Sequence, residues 1–144
     1  DENGQKKKLK NLATNLNLEN KIEFMDYVDI DSRQIILSLD LFLSLTRSYE
    51  GFGLSIAEAM SVGTPILATD VGAVSEFFNN DCGKLIKPNQ IEKIKDLLID
   101  FCDHRKDWEN KAQMAKDRIE KYFNSEIVGN NYMSHLSSKF TEIK

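Results

Sequence analysis

Residues 40–70 read DLFLSLTRSYEGFGLSIAEAMSVGTPILATD. The first seven, DLFLSLT, are a nearly continuous apolar run of the kind a strand covered on both faces needs. After an intervening loop the pattern predicts a helix from about Leu54 to Val62, because Gly63 can take the left-handed conformation that ends helices and Pro65 cannot continue one. PILATD follows as a second buried strand. A strand, a crossover helix and a strand in that order call for parallel pairing.

The same alternation continues on both sides. Upstream, Leu9, Leu12, Ala13 and Leu16 recur at helical spacing between Lys6 and Leu18. KIEFMDYV, residues 21–28, alternates Ile22, Phe24 and Tyr27 with polar neighbours, which predicts a short strand. Ser32 is placed to cap a further helical turn that turns Ile35, Ile36 and Leu39 inward. Downstream come a short helix near Ser75 to Asn79 and a brief strand, GKLI. Asn89 and Glu92 have capping-box spacing ahead of a helix striped by Ile91, Ile94, Leu97, Leu98 and Phe101. A second long helix carries Trp108, Ala112, Ala115 and Ile119. A third starts after Ser125 with a sparser stripe of Val128, Tyr132, Leu136 and Phe140, and reads as an appendage. The predicted class is α/β with a doubly wound parallel sheet.

Bulk composition bounds the function. At 144 residues, one domain is the natural prior, and such a chain buries roughly 68–70% of its unfolded surface. It is 41% hydrophobic and 29% charged, as ordinary globular proteins are. A net charge of -4 argues against a duplex nucleic-acid binder, and the one basic cluster, Lys6 to Lys8, reads as a solvated helix face. Cys82 and Cys102 lack zinc-site spacing and read as small core residues in a reducing compartment. Ser38, Asp40 and Ser44 interrupt the most apolar stretch, which is far shorter than the ~18 residues a transmembrane segment needs. The opening DENGQKKK reads as cut from something longer.

The chemistry lies at the loop TRSYEGFGLS. In open α/β sheets ligands sit at the carboxyl ends of strands, where loops pass into helices. Gly51 and Gly53 allow a sharp turn and close approach of a ligand. The first amides of the helix, at Leu54, Ser55 and Ile56, lack intrahelical acceptors and favour an anion, typically a phosphate. Glu50 and Glu58, separated by seven residues, can each accept hydrogen bonds from a diol. A phosphate flanked by two diols is a nucleotide diphosphate sugar. The structural alternative stands beside it: a glutamate at a helix start favours the dipole, one inside the helix can face water, and Gly-Phe-Gly can be a tight turn with Phe52 in the core. Arg47 can meet a phosphate or stand as a surface arginine. Asp70, Gly72 and Glu76 can shape the pocket rim or just build the turn after PILATD. His104 and His135 form no metal site or nucleophilic triad with the cysteines.

Residues 50–76, EGFGLSIAEAMSVGTPILATDVGAVSE, closely resemble the signature region of glycosyltransferase family 4, the retaining GT-B enzymes. Glu50, Phe52, Gly53, Glu58, Ala59, Gly63, Pro65 and Glu76 fall in register. The resemblance extends loosely from KIEFMDYV through CGKLIKP to YFNSEIV. It implies a Rossmann-like fold, the carboxyl-terminal half of a GT-B enzyme, as a single donor-binding domain over 1–144 with a core of 1–123 and a carboxyl-terminal helix over 125–143. By carry-over Glu58 holds the nucleotide ribose and Glu50, the catalytic candidate, the transferred sugar. Amides of Phe52, Gly53, Leu54 and Ser55 contact sugar hydroxyls and diphosphate, and main chain near Val28 meets the base. The donor is a UDP- or GDP-sugar, no metal or other cofactor is needed, and retention passes through a front-face exchange assisted by the departing phosphate.

The family's Arg–Lys pair, its first two strands and the amino-terminal domain that binds a glycan, lipid or protein acceptor would all precede Asp1. The expectation is therefore weak binding and no turnover by this stretch alone. Its sheet would be incomplete, with the strand of Ile22 to Phe24 detached or re-paired, or a partner chain would fill the gap. The implied location is cytoplasmic, with peripheral membrane association open. The alternative is a non-catalytic Rossmann-like interaction or regulatory module. A phosphorylase-like or sugar-phosphate synthase relative would differ mainly in the missing half.

Overall fold

The computed structural model describes residues 4–141, with side chains to residue 138. The described chain forms two compact units that divide between Ile30 and Asp31.

The first unit holds helix α1, Gln5–Asn15. Asn17 adopts a left-handed φ of 54° and closes it, with Asn17 N donating to Thr14 O and Leu18 N to Ala13 O, so the helix stops before the predicted Leu18. Only Ala13 of its apolar stripe is buried. Lys6 pairs with Asp26, and Lys10 lies over the Phe24 ring, so two of the lysines have partners. The strand expected within residues 21–28 does not form: the segment carries no strand structure, and Ile22, Met25 and Tyr27 are exposed. Alternation makes a buried face only when neighbouring strands supply the ladder, and none pairs with this segment among the described residues.

The second unit carries the sheet. Its elements are α2 Ser32–Leu37, β1 Phe42–Ser44, α3 Leu54–Val62, β2 Ile66–Thr69, α4 Val74–Phe77, β3 Lys84–Ile86, α5 Ile91–Asp103, α6 Arg105–Tyr122 and α7 Ser125–Thr141. The strands are parallel in the order β1-β2-β3, with Leu43 opposite Leu67 and Ala68 opposite Leu85. β2 is buried throughout and its residues alternate between two cores. Ile66 and Ala68 join Ile36, Ile56, Met60, Val74, Phe77 and Ile119 on one face, whereas Leu67 joins Ile86, Phe101 and Trp108 on the other. Both faces are therefore covered, as a doubly wound sheet requires. Helix α6 serves both cores, through Trp108 at one end and Ala115 and Ile119 at the other.

Several local expectations are corrected. β1 is covered unevenly: Phe42 packs against the first core, whereas Leu43, on the opposite face, is 43% exposed, and among the described residues the strand pairs with β2 alone. Leu39 is exposed, while Ile36 is buried. Asp31, not Ser32, caps α2 by accepting from Arg33 N at 3.0 Å. The capping box before α5 is absent: Gln90 is the cap residue without a side-chain bond, and Asn89 has a left-handed φ of 64° that carries its side chain away from that geometry. Cys82 is buried, but Cys102 lies on the exposed face of α5, and both thiols are free. Helix α7 has no buried residue among its described side chains, and the side chain of Phe140 lies outside the described residues. No helix among the described residues is long and apolar enough to cross a membrane.

Candidate functional site

Helix α3 spans the residues its sequence predicts. Gly63, at φ 75°, ends it in the left-handed conformation, with its N–H donating to Met60 O. The other end matters more. Gly53 sits at φ 89° before Leu54, a conformation that strains any residue with a Cβ, and its carbonyl accepts from both Ile56 N and Ala57 N. The Ile56 amide is thus spent internally, contrary to expectation. Leu54 and Ser55 precede the first intrahelical bond, so their amides form the positive tip of α3. Both residues are exposed.

The tip lies in the loop that leaves the carboxyl end of β1. At the loop's base, the Thr69 hydroxyl at the end of β2 reaches Thr46 O at 2.6 Å and Ser44 O at 3.3 Å, tying the exits of the two strands together. Farther along, the Phe52 ring stacks on Phe77 at 4.8 Å and 21°, and Phe77 in turn meets Phe123 edge-on at 6.2 Å. Phe52 is 43% exposed, so it neither sinks into the core nor swings free: one ring face rests on buried Phe77. Burial of that face and the stacked geometry hold the loop down.

Glu50 and Glu58 are both half-buried, and neither is lost in packing. Glu50 has no side-chain hydrogen bond or ion pair to another described residue, leaving its carboxylate oxygens free to accept. Glu58, one turn into α3, accepts from the Ser32 hydroxyl at 3.0 Å, and the negative charge at Glu58 helps hold the nearby Arg33 guanidinium protonated, after the larger effect of Asp31. Ser32 is the residue the sequence misassigns. Its spacing looks like a cap, yet its hydroxyl reaches a carboxylate 26 positions away, a contact no local pattern encodes.

Leu54 and Glu58 line one hollow of about 470 Å³ together with Arg33, Ser61, Ile119 and Phe123. Its lining mixes apolar and charged side chains, and it opens broadly to solvent. Glu50, Arg47 and Ser55 are not among its lining residues. Arg47 is exposed, and Val28 belongs to the first unit, where it is exposed as well. Among the described residues no group of three or more His, Cys, Asp or Glu side chains is arranged to hold a metal ion.

A parallel sheet wrapped by helices on both faces, with a glycine-led helix tip where its strands end, is the architecture of GT-B glycosyltransferase domains. The chain belongs to the group 1 glycosyl transferases, whose family model matches residues 1–122. It is 29% identical over 122 residues to the N-acetyl-alpha-D-glucosaminyl L-malate synthase of Bacillus anthracis, covering 84% of this chain and 32% of that protein. Over 71 residues it is 41% identical to the lipopolysaccharide core biosynthesis mannosyltransferase LpsB of Rhizobium meliloti (strain 1021), covering 47% of this chain and 20% of the relative. Among solved structures, Anabaena HepE in complex with UDP superposes with a TM-score of 0.86 at 25% identity over 92% of this chain and 36% of that one. The chain thus spans a third or less of the length of these two curated relatives.

Proposed function

We propose that this chain is the donor-binding part of a retaining glycosyltransferase of family 4 that takes a sugar from a nucleotide diphosphate sugar and passes it to a glycan, lipid or protein acceptor. The observation that carries this reading is the α3 tip: a left-handed Gly53, two unspent amides, and half-buried carboxylates at Glu50 and Glu58. Each part has a chemical task. The Leu54 and Ser55 amides stabilise the charge that grows on the diphosphate as the sugar leaves, with the helix dipole aligned behind them. Main chain at Phe52 and Gly53 lies beside the same anion and the sugar. Glu58, in its hollow, accepts from the ribose diol, and Ser32 fixes the orientation of its carboxylate. Glu50 accepts from hydroxyls of the transferred sugar. Arg47 adds positive charge to the approach.

The whole of 1–144 acts in this reading as one donor domain in a longer enzyme, with the acceptor held by a separate amino-terminal domain. The fixed amides take the place of a divalent ion, so transfer is metal-independent. A UDP- or GDP-sugar fits the site chemistry, and the UDP held by the Anabaena structure makes UDP the first nucleotide to try. The enzyme works in the cytoplasm, where nucleotide sugars are the activated donors.

Titrating UDP-glucose and GDP-mannose into the intact protein and its Glu58→Ala variant tests this. One donor binds the parent protein, and the variant weakens it at least tenfold. Absence of binding by either donor would replace the proposal with a non-catalytic module. Retention is read separately, from the anomeric configuration of the product against that of the donor.

A further inference from the structure

The turn after β2 runs Asp70, Val71, Gly72, and Gly72 adopts a left-handed φ of 57°. A Cβ built on Gly72 would fall 1.7 Å from the Glu50 carbonyl oxygen, 2.8 Å from its carbon and 3.3 Å from its nitrogen. Non-bonded heavy atoms rest about 3.5 Å apart or more, so no side chain fits there unless the Glu50 backbone retreats by well over ~1 Å. Gly72 is itself exposed, which excludes core packing as the reason for the missing side chain. The three nearest obstructing atoms are all backbone atoms of Glu50.

We infer that Gly72 is a positioning residue that sets where the Glu50 carboxylate stands, by letting the β2 turn nest against the Glu50 main chain. The inference rests on the donor-site reading above and deepens it. Glu50 has no side-chain partner to orient it, so its placement depends on its backbone. That backbone is fixed at three points. The Thr69 hydroxyl grips Thr46 O before it, the Phe52 ring rests on Phe77 after it, and Gly72 lies directly against it. The first two anchor the flanks, and Gly72 bears on Glu50 itself. Displacement of a catalytic group by about 1 Å can cost on the order of a hundredfold in rate. The side chain absent at position 72 therefore bears on how the sugar is held, while the Leu54 and Ser55 amides lie beyond the Phe52 anchor and should shift less.

Gly63 supplies the control. It has a similar left-handed φ of 75°, but a Cβ there would meet only the Lys116 Cδ at 3.7 Å. Gly63→Ala thus reproduces the backbone strain without the collision. The test compares the intact parent protein, Gly72→Ala, Gly63→Ala and Glu50→Ala for affinity toward UDP and UDP-glucose by calorimetry, with unfolding midpoints measured alongside. Gly72→Ala is expected to weaken UDP-glucose at least tenfold and UDP by less than twofold, matching Glu50→Ala, while Gly63→Ala changes neither affinity. The double variant Gly72→Ala/Glu50→Ala should lose no more than either single one. Equal weakening of both ligands by Gly72→Ala, no weakening of either, or failure of that variant to fold where Gly63→Ala folds would overturn the inference. Failure of the parent protein to bind UDP or UDP-glucose would instead overturn the UDP-sugar reading itself, and this inference with it.

Discussion

Two carboxylate sites on the second unit are built in opposite ways. Asp100, on α5, is saturated: Trp108 Nε1 donates to it at 2.9 Å, His104 Nδ1 lies 3.0 Å away and Lys84 Nζ 3.7 Å away, beside a hollow of about 310 Å³. Glu50 and Glu58 have between them one hydrogen bond, from Ser32. The first arrangement spends much of its acceptor capacity within the protein, and so joins α5, α6 and β3. The second keeps that capacity for something else. The number of unspent hydrogen-bond acceptors is what sets the two sites apart.

The contrast is sharpest where stability and binding should part company. Trp108→Ala removes a side chain that is 1% exposed and takes the Asp100 bond with it, so it should cost about 3–5 kcal/mol in urea unfolding. Glu58→Ala should move the unfolding midpoint little and weaken the donor roughly ten- to hundredfold, the worth of about one charge-assisted bond. If it instead destabilised as Trp108→Ala does, the two carboxylate sites would be of one kind. Phe52→Ala strips the stacked ring from Phe77 and should cost about 0.5–1.5 kcal/mol, with a measurable rise in protease cleavage near Glu50.

The smallest expected effect concerns acid. Asp100 is held below its ordinary carboxylate range chiefly by the Trp108 hydrogen bond, against some burial, with Lys84 and His104 adding to the lowering. A depressed folded value contributes stability above the unfolded value of 3.8, and that contribution disappears as pH falls through the folded value. Unfolding measured from about pH 5 downward should therefore show a shallower acid loss in Asp100→Asn than in the parent protein. Because the side chain is partly exposed, solvent screening keeps the difference modest.

Local rules captured the helix at the heart of the site. Gly63 and Pro65 act within a few residues of the bond they terminate, so Leu54 to Val62 was legible to the residue, and the stripe from Trp108 to Ile119 is buried as its spacing requires. Parallel pairing also followed from the order of elements, since a strand that returns through a helix has no other short route. Segment 21–28 failed for a related reason: alternation declares a face, and a face needs a neighbour. The apolar run of β1 likewise does not reveal how far each of its faces is covered. Asn89 and Ser32 had the right residues for caps but different backbone angles or partners.

Residue order alone carried the α/β class and the α3 boundaries. What awaited the folded chain was which acceptor is already occupied, which edge of the sheet is open, and why position 72 carries no side chain. Hydrogen bonding along one helix is closed within four residues, so its signals are short and survive in a string. The contacts of Ser32 with Glu58 and of Gly72 with Glu50 span 26 and 22 positions, and exist only once folding has brought separate segments together.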